Sequence, residues 1–336
     1  MGPFPMTLTR FIMERPAAHP GAPGEFSALM AQVGLIGKMI AGDLRRAGLI
    51  NIFGTTGATN VQGEAVKKLD EIANETFVNV LQHSGLVCVV GSEEMEKPLH
   101  LPQNWPQGKY MLLFDPLDGS SNTDVNMPLG SIFSILRYDE KAGQGVEAAL
   151  IRRGTEQVAA GYVMYGSSTM LVYTSGQGVH GFTLDPEVGE YVLSHQDIRM
   201  PMHGNVYAVN EGNYGKWTSG IQRLVDDLKA QDKAKGRPYA SRYSGCLAAD
   251  VHRILLGGGV YLYPGEKGKP EGKLRLLYEA NPLALLVHQA GGLASTGSTP
   301  ILEVEPTSLH QRVPLMIGSR DEVLLGEQFV REEARG

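Results

Sequence analysis

The sequence predicts an α/β protein in which helices flank a sheet, and three observations carry that reading. Short apolar runs rich in β-formers, LVCVV (86–90) and YMLLF (110–114), are interspersed with amphipathic helical stretches. Acidic residues follow both runs directly. Glycine is abundant, 42 of 336 residues, as tight turns and close backbone approaches require. The 42% hydrophobic and 20% charged content provides for a core and excludes disorder as the main state. The length fits two domains or one large α/β unit.

Residues 3–24, rich in Pro, Gly and Ala, read as a mobile arm. An amphipathic helix is expected from Ser27 to about Ala47, its stripe formed by Leu29, Met30, Val33, Ile36, Ile40 and Leu44 and its stop by Gly48. The Gly/Thr-rich loop 51–63, with Gly54, Gly57 and Gly63 as hinge points, leads into a second helix from about Glu64 to His83. After the two apolar runs, strands are expected at Ser131–Leu136, Val158–Val163, Thr169–Thr174 and Gly178–Leu184. The Pro- and turn-rich stretch 194–204 is the expected boundary between an N-terminal domain (1–198) and a C-terminal one (199–336). Beyond it we expect helices at 217–231 and 244–256, strands at Tyr261–Tyr263 and 273–279, and a helix at 282–290. For that last helix Asn281 is read as cap, Pro282 as first residue and Gly291 as stop.

Thirty Lys and Arg against 36 Asp and Glu give a net charge of −6, which argues against nucleic acid as partner. No apolar run reaches the ~18 residues of a membrane span. The N-terminal MGPFPMTLTRF lacks the basic-then-apolar layout of a secretion signal. The expectation is a soluble, cytoplasmic protein without a membrane partner. Cys88 and Cys246 are read as core thiols.

Chemistry enters with the carboxylates. On a helical wheel Asp70 falls inside the apolar stripe of Val66, Ala73, Phe77 and Val80, past the first turn of the expected helix. It must be paired, protonated or bound to something; a buried salt bridge with Lys67 or a distant Arg is one reading. Strand 86–90 ends in GSEE, with Glu93 and Glu94, and strand 110–114 ends in DPLDGSSNTD, with Asp115 and Asp118. Ligands of open α/β sheets collect beyond the carboxyl ends of strands, so both acid pairs should meet in one crevice. Acids so placed repel one another and call for a cation. Hard oxygen donors without His or Cys suit Mg²⁺ or Mn²⁺ better than zinc. Gly119, Ser120 and Ser121 have the composition of an anion nest, although Asp-Pro-x-Asp-Gly is also an ordinary turn. Acids for a cation beside a nest for an anion describe phosphoryl transfer. In GKLRLLYE (272–279), alternation would put Lys273, Arg275 and Glu279 on one strand face, the mark of either a solvated edge or a second anion site.

These motifs resemble class I fructose-1,6-bisphosphatase, within the metal-dependent, lithium-sensitive sugar and inositol phosphatase superfamily. DPLDGSSN, the preceding EE and GKLRLLYEANPLA carry the likeness. So do TLTRF (7–11), GATNVQGEAVKKLD (57–70), AAGYVMYGSSTMLVY (159–173), VNEGN (209–213), RYSGCLAADVHR (242–253) and LYP (262–264), all in the expected order. The resemblance implies the sugar phosphatase fold, alternating layers of helices and mixed β-sheets. It implies Mg²⁺-dependent hydrolysis of fructose 1,6-bisphosphate, with two or more ions per subunit and Mn²⁺ as a substitute.

By that resemblance Glu93, Asp115, Asp118, Glu279 and the Leu117 carbonyl would hold the metals, while Glu94 and Asp70 would polarise the attacking water. Asp118, Gly119, Ser120, Ser121 and Arg275 would meet the 1-phosphate. Asn210, Tyr243, Tyr263 and Lys273 would hold the sugar and its 6-phosphate, with Arg242 reaching in from a neighbouring subunit of a homotetramer. An AMP effector site would comprise Gly24, Glu25, Phe26, Ser27, Lys109, Tyr110 and Arg137. Three departures from the family pattern stand out: Glu64 replaces an Asp, Asn213 replaces a substrate tyrosine with Tyr214 one place late, and Pro23 replaces a Thr of the effector site. The cysteine-bearing insertion of light-regulated plastid forms is absent, so no thiol switch is expected. Sedoheptulose 1,7-bisphosphate, one carbon longer, is the alternative substrate. An inositol monophosphatase would leave Lys273 and the tyrosines without an anion, and a non-catalytic sensor would have no use for the complete acid set.

Overall fold

A computed structural model of the chain describes residues 5–15, 23–50, 52, 54–59, 65–101, 107–138 and 146–334. Helix α1 (Leu8–Met13) lies inside the segment expected to be a mobile arm. Leu8, Phe11 and Ile12, at helical spacing, bury one face, and the Thr7 hydroxyl accepts the Arg10 N–H at 3.3 Å. The Pro and Gly of the arm dominate its composition and mask this one apolar turn. Helix α2 (Pro23–Arg46) has the expected stripe, with Leu29, Met30, Val33, Ile36 and Ile40 buried.

The next helix corrects the sequence reading. Strands β1 (Thr55–Thr59) and β2 (Ala65–Lys67) pair antiparallel, and α3 (Lys68–Gln82) begins only after them. Glu64 and Gly63, the expected helix start and one expected hinge, lie outside the described residues. Asp70 is therefore the third residue of its helix, within the first turn, where a carboxylate meets unpaired backbone N–H groups.

Eight strands form the main sheet. They are β3 (Val87–Ser92), β4 (Leu99–His100), β5 (Tyr110–Asp118), β6 (Leu129–Arg137), β7 (Ala159–Tyr165), β8 (Thr169–Thr174), β9 (Val179–Asp185) and β10 (Glu190–His195), in spatial order 10-9-8-7-6-5-3-4. A short helix α4 (Val146–Leu150) precedes β7. Strands β3 and β5 run parallel and the other neighbours antiparallel, so the two acid-bearing strand ends emerge on the same side. The Glu93 N–H donates to the Phe114 carbonyl at 3.0 Å, which fixes Glu93 beside Asp115.

Past β10 the chain enters a second sheet of order 12-11-13-17-15, formed by β11 (Val206–Ala208), β12 (Ala240–Ser241), β13 (Val260–Tyr263), β15 (Leu293–Ser295) and β17 (Leu315–Gly318). A separate two-stranded ladder joins β14 (Leu274–Arg275) to β16 (Arg312–Val313). Helices α5 (Ser219–Lys229), α6 (Leu247–Gly257), α7 (Asn281–Gln289) and α8 (Arg320–Glu333) complete the fold. Three apolar clusters stack the layers. Alternate residues of β5 and β3 explain it: Leu112, Phe114 and Val90 face α1–α3, while Met111, Leu113 and Val89 face a core shared with α6, α7, β13 and β17. The far side of the second sheet packs Val260, Leu262 and Met316 against α5 and α8. The result alternates helices, sheet, helices, sheet and helices, with mixed strand directions, as the sequence predicts.

The segment 273–279 is the second correction. Only Leu274 and Arg275 are extended; Leu276–Ala280 form a π-helical turn that continues directly into α7. Asn281 is thus inside a helical stretch and caps nothing, although Gly291, at φ +97°, does follow the helix end. A sequence of alternating cations and leucines reads as a strand until its leucines prove to be buried on both sides, as Leu274, Leu276 and Leu277 are here.

Candidate active site

Asp115 and Asp118, three residues apart, would point to opposite faces of a regular strand. A bulge prevents this: Asp115 pairs with Ile132 and Asp118 with Gly130, so three residue steps on β5 match two on β6. Pro116, which lacks an N–H, sits in the bulge, and its carbonyl accepts the Ser131 hydroxyl at 2.7 Å. The π turn carries Glu279 to the same place, where its Oε2 accepts the Arg275 N–H at 2.5 Å. Carboxylate oxygens of Asp115, Asp118 and Glu279 thereby lie within 4.8 Å of one another, all buried. Two charges at that separation repel by about 3–4 kcal/mol at an effective dielectric near 20. Burial first, and then the charges of Asp118, Glu279, Glu93 and Glu94, push Asp115 well above the carboxylate range. Such a set of hard oxygen donors fits a divalent cation.

Glu93 is buried beside this trio and pairs with the Arg275 guanidinium, itself buried. Asp118 is held from the other half of the chain: its Oδ2 accepts the Ala248 N–H at 2.7 Å and the Cys246 thiol at 3.0 Å, at the start of α6. Burial raises Asp118, and these donors oppose the rise. Burial and the charge of Asp118 push the Cys246 thiol well above its ordinary range, so it stays an S–H donor.

Asp70 does not form the salt bridge with Lys67 that one reading of the sequence allows. The Lys67 ammonium pairs with Asp124, and it is the Lys67 backbone N–H that donates to Asp70 Oδ2, at 3.0 Å. Among the described residues nothing hydrogen-bonds the buried Oδ1. Burial pushes Asp70 up to about 7, the Lys67 N–H and, more weakly, the Ser120 hydroxyl pull the other way, and the charge of Glu94 adds to the rise. A buried carboxyl titrating near neutrality with an unpartnered oxygen suits a proton acceptor. Glu94, half-buried, follows directly on Glu93.

Gly119 adopts φ +79°, and a Cβ there would stand 2.7 Å from Cys246 Cβ, so the turn into the 3₁₀ segment Ser120–Val125 requires glycine twice over. Ser120 is half-buried beside Asp70, and Ser121 is exposed. In the second half, Tyr243, Tyr261 and Tyr263 form a ladder of rings with centroids 6.5 Å apart. Asn210, Asn213 and Tyr263 line one small cleft. Asn210 Oδ1 also accepts the Gly212 N–H at 3.2 Å. Tyr214 is committed elsewhere, its hydroxyl donating to Asp226 at 2.6 Å. Lys273 and Arg242 are exposed.

Two family models match the chain: the N-terminal domain of fructose-1-6-bisphosphatase over residues 6–196 and the C-terminal domain over residues 200–331. The chain belongs to the class 1 fructose-1,6-bisphosphatase family. It is 51% identical to "Fructose-1,6-bisphosphatase class 1" of Chloroherpeton thalassium, over 96% of this chain and 93% of that protein. It is 50% identical to the protein of the same description from Trichormus variabilis, over 97% and 92%. The crystal structure of Leishmania major fructose-1,6-bisphosphatase in holo form matches with a TM-score of 0.92 at 43% identity, covering 98% of this chain and all of that one. The apo form of the same protein matches at 0.87.

The expected effector residues of this fructose-1,6-bisphosphatase family member also lie together, where the start of α2 meets the start of β5 and the end of β6. Glu25 pairs with Lys109 at 2.8 Å, Phe26 packs edge-on against Tyr110, and Arg137 lies opposite Tyr110 in the ladder. Cys246 is a buried core thiol, as expected, but the sequence reading missed its contact with Asp118, and it missed Asn122. The Asn122 amide donates to the Ser244 and Pro128 carbonyls, each at 3.0 Å, tying the acid-bearing turn to the segment that presents Tyr243. The sequence signal for both was proximity to motifs already singled out, DGSSN and RYSGC. Cys88 is a buried free thiol, as expected. Among the described residues no helix is long and apolar enough to cross a membrane.

Proposed function

We propose that this chain hydrolyses the 1-phosphate of fructose 1,6-bisphosphate, giving fructose 6-phosphate and phosphate. The observation that carries the reading is the convergence of Asp115, Asp118 and Glu279, with Glu93 adjacent, in a chain of this family. Glu93, Asp115, Asp118, Glu279 and the Leu117 carbonyl would hold two or more Mg²⁺ ions, with Mn²⁺ as a substitute. When bound, these ions neutralise charge on the phosphoryl group and on the oxygen that leaves it.

The residues of the chain do the rest. Asp70, pushed up to about 7 with Oδ1 unpartnered, takes a proton from the attacking water, and Glu94 polarises the same water. As the new P–O bond forms, the bond between phosphorus and the sugar 1-oxygen breaks, and that oxygen takes up a proton from solvent to become the product hydroxyl. Ser120, Ser121, the Gly119 turn and the Arg275 guanidinium face the negative charge that spreads over the phosphoryl oxygens. Lys273, Tyr243, Tyr263 and Asn210 bind the sugar and the distal phosphate, helped by Arg242 of a neighbouring subunit in a homotetramer. The division into an acid-bearing domain (1–198) and a sugar-phosphate-binding domain (199–336), a cytoplasmic location and weakened AMP inhibition at the Glu25–Lys109 site are parts of the same proposal.

The test is phosphate release from fructose 1,6-bisphosphate with and without Mg²⁺, repeated with sedoheptulose 1,7-bisphosphate and with added AMP. Mg²⁺-dependent release with kcat/KM higher on the fructose compound is expected. Release that ignores Mg²⁺ would sink the metal assignment, and preference for the longer sugar would replace the substrate.

A further inference from the structure

Cys246 is fully buried and touches the acid site through one atom pair, Sγ to Asp118 Oδ2 at 3.0 Å. The Ala248 N–H reaches the same oxygen at 2.7 Å. Asp118 therefore serves as the missing N-terminal cap of α6, whose own Cys246 makes no side-chain cap. Two donors on one oxygen mean that rotation of the carboxylate away from Asp115 and Glu279 breaks both bonds. Gly119 closes the contact from behind: its backbone lies so near Cys246 that no side chain fits between them.

We propose that Cys246 is a positioning residue for cation binding, its thiol locking the Asp118 carboxylate in the orientation that joins Asp115 and Glu279. The inference rests on the reading that these acids hold divalent ions. Groups that orient a metal ligand from behind cost about 10–100-fold in metal affinity when lost, and a single weak S–H donor places Cys246 at the lower end.

The experiment is Mn²⁺ titration of the metal-stripped full chain by calorimetry, with Cys246→Ala and Cys246→Ser alongside. The Ala variant should bind Mn²⁺ about tenfold more weakly, and the Ser variant, which keeps a donor, within threefold of the parent. At saturating Mn²⁺ the Ala variant should regain kcat with its substrate KM unchanged. Cys246→Val, which keeps bulk without a donor, replaces Ala should that variant melt early, with the same tenfold loss expected. Equal Mn²⁺ affinity in parent and Ala (or Val) variants overturns the proposal, as does a Ser variant as weak as Ala, since packing alone would then account for the residue. A parent chain that binds no Mn²⁺ overturns the metal reading and this inference together, a result distinct from the failure of the cysteine arms alone.

Discussion

Asp115, Asp118 and Glu279 are each less than a tenth exposed and stand within 4.8 Å of one another, whereas Lys273, Arg242 and Asn210 are exposed and Tyr243 is 38% exposed. The first group is crowded, buried and of one sign, so the fold tolerates it only by holding it from behind. Ala248, Cys246, Leu117 and the Arg275 backbone all donate to it. The second group sits in water and costs the fold little. Removing a charge from each region should therefore have opposite consequences: in the acid cluster it should relieve the folded chain and abolish chemistry, and on the exposed rim it should leave the fold indifferent and weaken binding.

The largest effect is expected for Asp118→Asn. Turnover should fall by about 10³-fold or more, because a carboxylate that would hold the charge-neutralising cation is lost. In chelator the same variant should melt no lower than its parent, and higher if relief of repulsion outweighs the altered bonds from Ala248 and Cys246. Steady-state phosphate release and thermal unfolding in EDTA check the two halves. A variant that turns over normally, or that melts well below the parent, would erase the contrast between the two regions.

Lys273→Ala tests the other side, with a smaller effect. KM for the bisphosphate should rise about tenfold, equivalent to about 1.4 kcal/mol of binding, with kcat within about threefold and the unfolding midpoint unchanged. A drop in kcat with KM unaltered would move Lys273 from the rim into the chemistry.

How much of this was legible beforehand follows the same divide. The acids at the ends of 86–90 and 110–114 were readable because strand ends are marked by apolar runs, and their meeting required only that β3 and β5 run parallel. The way Asp115 and Asp118 come to share a side was not readable from period-two alternation, which separates them; it depends on a bulge whose one local sign is Pro116. Glu279 was assigned to the site on resemblance, while the geometry expected for it, an alternating strand, was replaced by a π turn. Asp70 was noticed for the right reason, a carboxylate among apolar neighbours, but placed past the first turn because β2 was taken for helix. Contacts of high sequence separation, such as Cys246 with Asp118, leave no periodic trace at all.

Asp70 offers the subtlest test, because its region combines both behaviours: a buried acid with an opening to chemistry. Its ordinary carboxyl value is 3.8 and burial lifts it to about 7, so between roughly these values the folded metal-free chain holds a proton that the unfolded chain has released. Folding then binds protons, and its stability falls as pH rises through that window, by about 4 kcal/mol at most for this one group, and levels off above it. Other acids titrate over the same range, so the parent alone is uninformative and the comparison with Asp70→Asn is what isolates the group. Asn keeps an oxygen for the Lys67 N–H and cannot ionise. With both chains in EDTA, the unfolding midpoint of the variant relative to the parent should climb by a few degrees between pH 5 and pH 8. A gap that stays constant across that range would mean that Asp70 titrates like an exposed carboxylate, and its part as the proton acceptor near neutrality would lose its physical basis.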